Sequence, residues 1–112
     1  MDCIFCRIVH GEIPSKTVYE DEQITAFFDV APQMPVHILV IPKEHIASAD
    51  GINEKNSGVI AHIFNTIPKI AREAGLENGY RVITNCGPDA CQSVGHLHFH
   101  ILGGAKMTEK MA

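Results

Sequence analysis

The sequence predicts an α+β domain: an antiparallel sheet of about five strands carrying one long helix and a short N-terminal helix. Three observations support it. Runs with the period of two that belongs to strands cluster at 17–41 and again at 80–102. One long stretch, from about 54 to 74, repeats its apolar residues at three and four. The strands come in runs and do not alternate with helices, the pattern of a sheet covered by its helix.

Taken in order, Ile4, Phe5, Ile8 and Val9 fall at helical spacing in a short opening segment that Gly11 and Pro14 close. Thr17-Val18-Tyr19-Glu20 and Ile24-Thr25-Ala26-Phe27-Phe28 read as strands around the polar turn Asp21-Glu22-Gln23. The loop Pro32-Gln33-Met34-Pro35 leads into a third strand at 36–41, which Pro42 ends. Val59, Ile60, Ile63, Phe64, Ile67, Ile70, Ala71 and Ala74 mark the amphipathic helix, stopped by Gly75. Pro68 removes a hydrogen bond inside it and is expected to kink it. Tyr80-Arg81-Val82-Ile83-Thr84-Asn85 forms the next strand, and a polar loop at 86–93 returns the chain into the last.

At 112 residues the chain is expected to be one domain, 1–112, burying roughly two-thirds of the surface its unfolded chain exposes. A dimer covering a sheet edge would supplement so small a core. A formal net charge of -4 leaves no broad basic surface for tracking a nucleic-acid backbone, so no nucleic-acid partner is expected. A small phosphorylated ligand remains open, since backbone N–H groups hold one phosphate without net positive charge. No signal peptide and no membrane span is visible, and a cytoplasmic location is expected. In that setting Cys3, Cys6, Cys86 and Cys91 are reduced thiols, and Cys3-x-x-Cys6 reads as a metal or redox pair.

The last strand holds the most chemistry. In His96-Leu97-His98-Phe99-His100-Ile101-Leu102, strict alternation puts three imidazoles on one face, about 7 Å apart along the backbone. His98 is central, and a neutral imidazole is a competent nucleophile when one ring nitrogen is held protonated by an acceptor and the other is bare. His37 and His100 can donate to phosphate oxygens. In the preceding loop, Asn85, Gly87, Gln92 and Ser93 are types that let backbone approach a phosphate, and Ser93 can donate to a leaving group as negative charge builds there. His96 has a competing role, because Cys3, Cys6, His45 and His96 together make a Cys₂His₂ set suited to a closed tetrahedral zinc site. His62, beside the apolar stripe of the helix, reads as a hydrogen-bonded structural residue.

The His-φ-His-φ-His-φ-φ run at 96–102 resembles the signature of the histidine triad superfamily. Ile13-Pro14-Ser15-Lys16, Asp29-Val30-Ala31-Pro32-Gln33, His37-Ile38-Leu39-Val40-Ile41-Pro42-Lys43 and Gln92-Ser93-Val94 are most similar to its Hint branch, in order across nearly the whole chain. The resemblance implies a homodimer with one continuous sheet and hydrolysis of purine nucleoside phosphoramidates or acyl-nucleotides, AMP or GMP type. It makes His98 the nucleophile of a covalent nucleotidyl-histidine, with His37, His100 and Ser93 beside it. Asp29 then accepts from the ribose hydroxyls, Asn85 and Gln92 contact the nucleotide, and Phe5, Ile8, Phe27, Val30 and Leu39 wall the base. Zinc, if held, is structural and takes no part in the chemical step.

The chain departs from that pattern in places. Eukaryotic Hint proteins lack the Cys3/Cys6 pair, which other branches use with two histidines to hold zinc. Ala90-Cys91 stands where many relatives have Gly-Gly, Gly95 where a Tyr often stands, and the tail lacks a Trp-containing end. Two other readings compete with the hydrolase: a metalloenzyme whose histidine ribbon chelates the ion, and a nucleotide-binding scaffold or regulatory protein with little turnover.

Overall fold

The computed structural model describes residues 3–112. Five strands, β1 (Thr17–Glu20), β2 (Ile24–Phe28), β3 (Val36–Pro42), β4 (Tyr80–Ile83) and β5 (Phe99–Gly103), form one antiparallel sheet in the order β1-β2-β3-β5-β4. Among the described residues there are two α-helices, α1 (Ile4–Val9) and α2 (Ser57–Glu73), and two 3₁₀ turns at Ala49–Gly51 and Pro88–Ala90. The α+β class, the meander of the first three strands and both helices are as the sequence predicts.

Each side of the sheet has its own core. Ile24 and Ala26 of β2, Ile38 and Val40 of β3, and Phe99 and Ile101 of β5 pack with Ile63, Ile67, Ile70 and Ala71 of α2. The alternate residues Phe27, Leu39 and Ile41 face the other way and meet Phe5 of α1. This is why β3 is buried along nearly all its length although it alternates. Both faces of the sheet are thus covered, one by α2 and the other by α1.

Both helices end in the same way. Gly11 follows α1 at φ 76° and Gly75 follows α2 at φ 82°, a left-handed turn that suits glycine. The next amides return to carbonyls five residues back, Glu12 N–H to Arg7 O at 2.8 Å and Leu76 N–H to Ala71 O at 2.9 Å. Leu76 is thereby delivered into the α2 core.

The elements differ from expectation at their ends, each time because side chains or a bend take the backbone bonds. Helix α2 starts at Ser57 and not near 54: Asn53 Oδ1 accepts from Lys55 N–H and Asn56 N–H, while Asn56 Oδ1 accepts from Asn53 N–H, which holds the segment as a turn. Pro68 lies inside this helix, as the sequence places it. Strand β4 stops at Ile83, two residues early, and the Thr84 hydroxyl donates to His98 O at 2.8 Å. The histidine segment enters the ladder only at Phe99, since Leu97 N–H is diverted to Ile46 O at 2.6 Å.

His62 is a structural residue, as expected. Its Nε2 lies 2.6 Å from Asp21 Oδ2, which also accepts from the Tyr19 hydroxyl at 2.7 Å, so α2 is tied to the β1–β2 turn. Burial opposes ionisation of Asp21. The hydrogen bonds from His62, Gln23 N–H, Tyr19 and Ile24 N–H overcome it and hold the carboxyl well below the usual carboxylate range.

Candidate active site and metal centre

A cavity of about 880 Å³ opens on the sheet face away from α2, within the range of small-ligand pockets. The ladder decides what reaches it. Phe27 pairs with Leu39 and Leu39 with His100, so these three lie in one row on that face. His37, two residues before Leu39, lies diagonally from His100, and its Nε2 is 2.8 Å from His100 Nδ1. His98 completes the group, with its ring centroid 5.0 Å from that of His100.

His98 Nδ1 lies 2.7 Å from the backbone carbonyl of His96. A carbonyl only accepts, so Nδ1 carries a hydrogen, and in the neutral ring Nε2 is then bare. This is the tautomer the sequence argument requires of a nucleophile. Burial pushes His37 below the ordinary imidazole value, and the charge of Asp29 offsets this in part. His100 is pushed down to about 4, by burial first and then by His98 and His37. Both rings are therefore neutral near pH 7.

His96 does not share this cavity, although the alternation places all three imidazoles on one face. The chain bends before Phe99 and carries His96 to the N-terminal helix, with Phe5 edge-on to His96 and His98 at centroid distances of 5.9 and 5.1 Å. There Cys3 caps α1, its sulfur accepting from Cys6 N–H, so the C-x-x-C spacing brings both thiols to the first turn. The donor atoms of Cys3, Cys6, His45 and His96 all lie within 4.8 Å of one another.

The spacing of these donors can be tested against a metal. Tetrahedral bonds of about 2.3 Å to sulfur and about 2.0–2.1 Å to nitrogen require S···N distances of about 3.6 Å and N···N of about 3.3 Å. Cys3 Sγ and Cys6 Sγ lie 3.4 and 3.6 Å from His96 Nδ1, Cys6 Sγ lies 3.3 Å from His45 Nδ1, and the two Nδ1 atoms are 3.2 Å apart. His96 Nε2 donates to Pro42 O at 2.8 Å, leaving Nδ1 bare toward the sulfurs. The residues fit a zinc ion.

A second donor set, Asp29, His37 and His100, fails the corresponding test. Gln33 N–H donates to His37 Nδ1 at 3.0 Å. His37 Nε2 must then carry the ring hydrogen and has no lone pair for a metal. This argues against a metal held jointly by Asp29, His37 and His100.

A family model described as "Scavenger mRNA decapping enzyme C-term binding" matches residues 2–112. An uncharacterized HIT-like protein of Synechococcus elongatus is 47% identical over 106 residues, covering 95% of this chain and 93% of that one. This chain belongs to the histidine triad family. A 14 kDa zinc-binding protein of Zea mays is 44% identical, with 93% of this chain and 83% of the maize protein covered. Among solved structures, a HIT family hydrolase from Clostridium thermocellum superposes with a TM-score of 0.96 at 48% identity, covering 99% of this chain and 97% of that one. A histidine triad protein from Clostridium difficile gives 0.94 at 51%, covering 98% and 96%.

Within this histidine triad fold the residues singled out from sequence divide into three groups. Phe5, Ile8, Phe27, Asp29, Val30, His37, Leu39, Ser93, His98 and His100 line the cavity, with Val30 fully exposed at its mouth. Cys3, Cys6, His45 and His96 form the four-donor cluster that could hold a metal. Asn85 and Gln92 lie outside the cavity lining. The Gln92 amide is occupied by backbone groups: Oε1 accepts from Gly87 N–H at 3.0 Å, while Nε2 donates to Ala47 O, in the segment after β3, at 2.8 Å and to Val94 O at 2.9 Å. The reading from sequence gave no site role to Ser15, Lys16, Pro32 or Pro35, all of which line the cavity. The Pro-bounded turns on either side of the first hairpin were the available signal.

Proposed function

We propose that this protein hydrolyses purine nucleoside phosphoramidates or acyl-nucleotides through a nucleotidyl group held covalently on His98. The observation that carries the reading is the 2.7 Å contact of His98 Nδ1 with His96 O, which leaves Nε2 free in a ring that lines the cavity. Nε2 attacks the α-phosphorus and the bond to the leaving amine or acyl oxygen breaks. Ser93, at the cavity wall, donates to the departing atom. Water then attacks the same phosphorus, the P–N bond to His98 breaks, and the nucleoside monophosphate leaves. His37 and His100 hold the phosphate oxygens. Asp29, whose Oδ1 already accepts from Ala31 N–H at 2.8 Å, accepts from the ribose. Phe5, Ile8, Phe27, Val30 and Leu39 flank the base. The names of the similar solved proteins, a HIT family hydrolase among them, support a hydrolase.

Zinc on Cys3, Cys6, His45 and His96 belongs to the same reading, supported by the donor distances and by similarity to the maize zinc-binding protein. When bound it supplies rigidity, since no donor position is left for substrate. Strand β4 is an open edge of the sheet, with Tyr80 exposed, and suits pairing with a second copy into a homodimer. No helix among the described residues is long and apolar enough to cross a membrane. The test is intact mass spectrometry after mixing with an adenosine phosphoramidate. A transient nucleotidyl adduct is expected, and it should be absent in His98→Ala, with turnover lowered by on the order of 10⁴ or more. Unchanged turnover in His98→Ala would sink the proposal. Tight AMP binding with no turnover would favour a binding role.

A further inference from the structure

One buried polar atom is left without a partner among the described residues: His100 Nε2. Its state follows from three contacts in series. Gln33 is in the loop before β3, and its backbone N–H can only donate, so the 3.0 Å contact to His37 Nδ1 makes that nitrogen an acceptor. His37 is therefore protonated on Nε2. That hydrogen lies between His100 Nδ1 at 2.8 Å and Asp29 Oδ2 at 3.4 Å. Whichever it favours, an N–H on His100 Nδ1 would face another N–H at 2.8 Å, so His100 Nδ1 is bare and its Nε2 carries the hydrogen. The orphaned atom is thus an N–H donor in a ring that lines the cavity.

We infer that the Gln33 backbone amide is a positioning group which, through His37, fixes His100 as a neutral donor with its Nε2–H available to a phosphate oxygen. The inference rests on the proposed phosphate-binding role of this cavity and adds to it how the donor's tautomer is set. A buried N–H without an acceptor is costly in the free protein, and an anionic oxygen at that place satisfies it. Neutrality of both rings, already required by burial, agrees with a chain in which neither His37 Nδ1 nor His100 Nδ1 has room for a second proton. The Gln33 side chain takes no part, since its Nε2 donates to Ala31 O. The fixed tautomer originates in the main chain.

The test is long-range ¹H–¹⁵N correlation of the ring nitrogens in ¹⁵N-histidine-labelled, zinc-loaded full-length protein at pH 7. His37 and His100 should each show protonated Nε2 and bare Nδ1, with His98 showing the opposite pattern. The Nδ1–H tautomer or an imidazolium at His37 or His100 overturns the inference. A second arm replaces the residue-33 amide by an ester, using the α-hydroxy analogue of glutamine, which deletes only the N–H. Both rings should then become tautomer mixtures, His98 should keep its pattern, and kcat should fall about tenfold, less than the loss of a direct oxyanion donor. Gln33→Ala, which retains the amide, should keep both tautomers. An ester protein with unchanged tautomers and kcat removes Gln33 from the chain of control. The ring spectra do not depend on turnover, so absence of the His98 adduct bears on the hydrolase reading alone.

Discussion

Removing zinc should destabilise the protein by an amount set by how far the free zinc concentration exceeds the dissociation constant, and the chain length converts that into a Tm shift. Four of the six donor pairs stand near tetrahedral separations and all four donor atoms lie within 4.8 Å of one another, so little of the binding free energy goes into rearranging them. With free zinc at about 100 times its dissociation constant, binding to the folded state alone stabilises by about 2.7 kcal/mol. Unfolding entropy near the midpoint is about 2.1 cal/mol/K per residue, or about 0.24 kcal/mol/K for 112 residues, so the Tm shift is about 11 °C. Cys6→Ser should lower Tm by a similar amount and make it insensitive to added zinc, because the buried Cys6 sulfur approaches both imidazoles. The assay is differential scanning fluorimetry with chelator and with zinc restored, paired with colorimetric titration of released metal. One zinc per chain and recovery of Tm on re-addition are expected. A Tm that moves by less than about 1 °C while one zinc per chain is released would refute the coupling of these donors to stability.

Other outcomes follow from the same contacts. Asp21→Asn should cost about 1–2 kcal/mol at pH 7 after allowing for solvent screening at a partly exposed site. Because the folded carboxyl lies below its unfolded value near 3.9, this contribution is full above about pH 5 and is lost as pH falls toward the folded value. Urea unfolding of both proteins at pH 7 and pH 3 should therefore show the gap narrowing, and a constant gap would count against the bridge. Cys91 holds a left-handed conformation at φ 58°, so Cys91→Gly should stabilise by about 0.5–1 kcal/mol, strain relief of about 1–2 kcal/mol being partly offset by the added freedom of the unfolded chain. Equilibrium denaturation checks this, and a loss of stability would contradict it. Gln92→Leu leaves Gly87 N–H, Ala47 O and Val94 O without the amide that joins them, and should lower stability by about 1–3 kcal/mol. Hydrogen exchange should show faster exchange at Gly87 N–H, whereas unchanged protection there would show that the amide does not hold the loop.

The elements that were legible in the sequence are those with a strong period and a local stop. Helix α2 shows its stripe and Gly75, β2 and β3 are short apolar runs bounded by a polar turn and by prolines, and the C-x-x-C turn places two thiols together by its own geometry. The ends were harder to read. Asn53 and Asn56 capture each other's amides and delay α2, and Leu97 bonds to Ile46 outside the ladder. These are competitions between a side chain or a distant carbonyl and the regular backbone bond, and periodicity does not register them. Gln92 shows the same limit at the site, since a polar residue in a glycine-containing loop suits ligand binding and loop clamping equally until its three partners are known.

The sequence by itself determined the sheet, its covering helix, and which residues could carry chemistry, because alternation and donor type are properties of the chain read one residue at a time. Tertiary structure decided how the histidines divide. A bend of a few residues before β5 carries His96 to two thiols some 90 positions away in sequence, with Phe5 edge-on to both His96 and His98. The diagonal neighbourhood of β3 and β5 brings His37 onto His100. It also decided the protonation of each ring, because a tautomer is set by whichever carbonyl or amide lies against the imidazole: His96 O for His98, Pro42 O for His96 and Gln33 N–H for His37. Those partners are backbone groups, alike at almost every position, so only the folded path of the chain selects them.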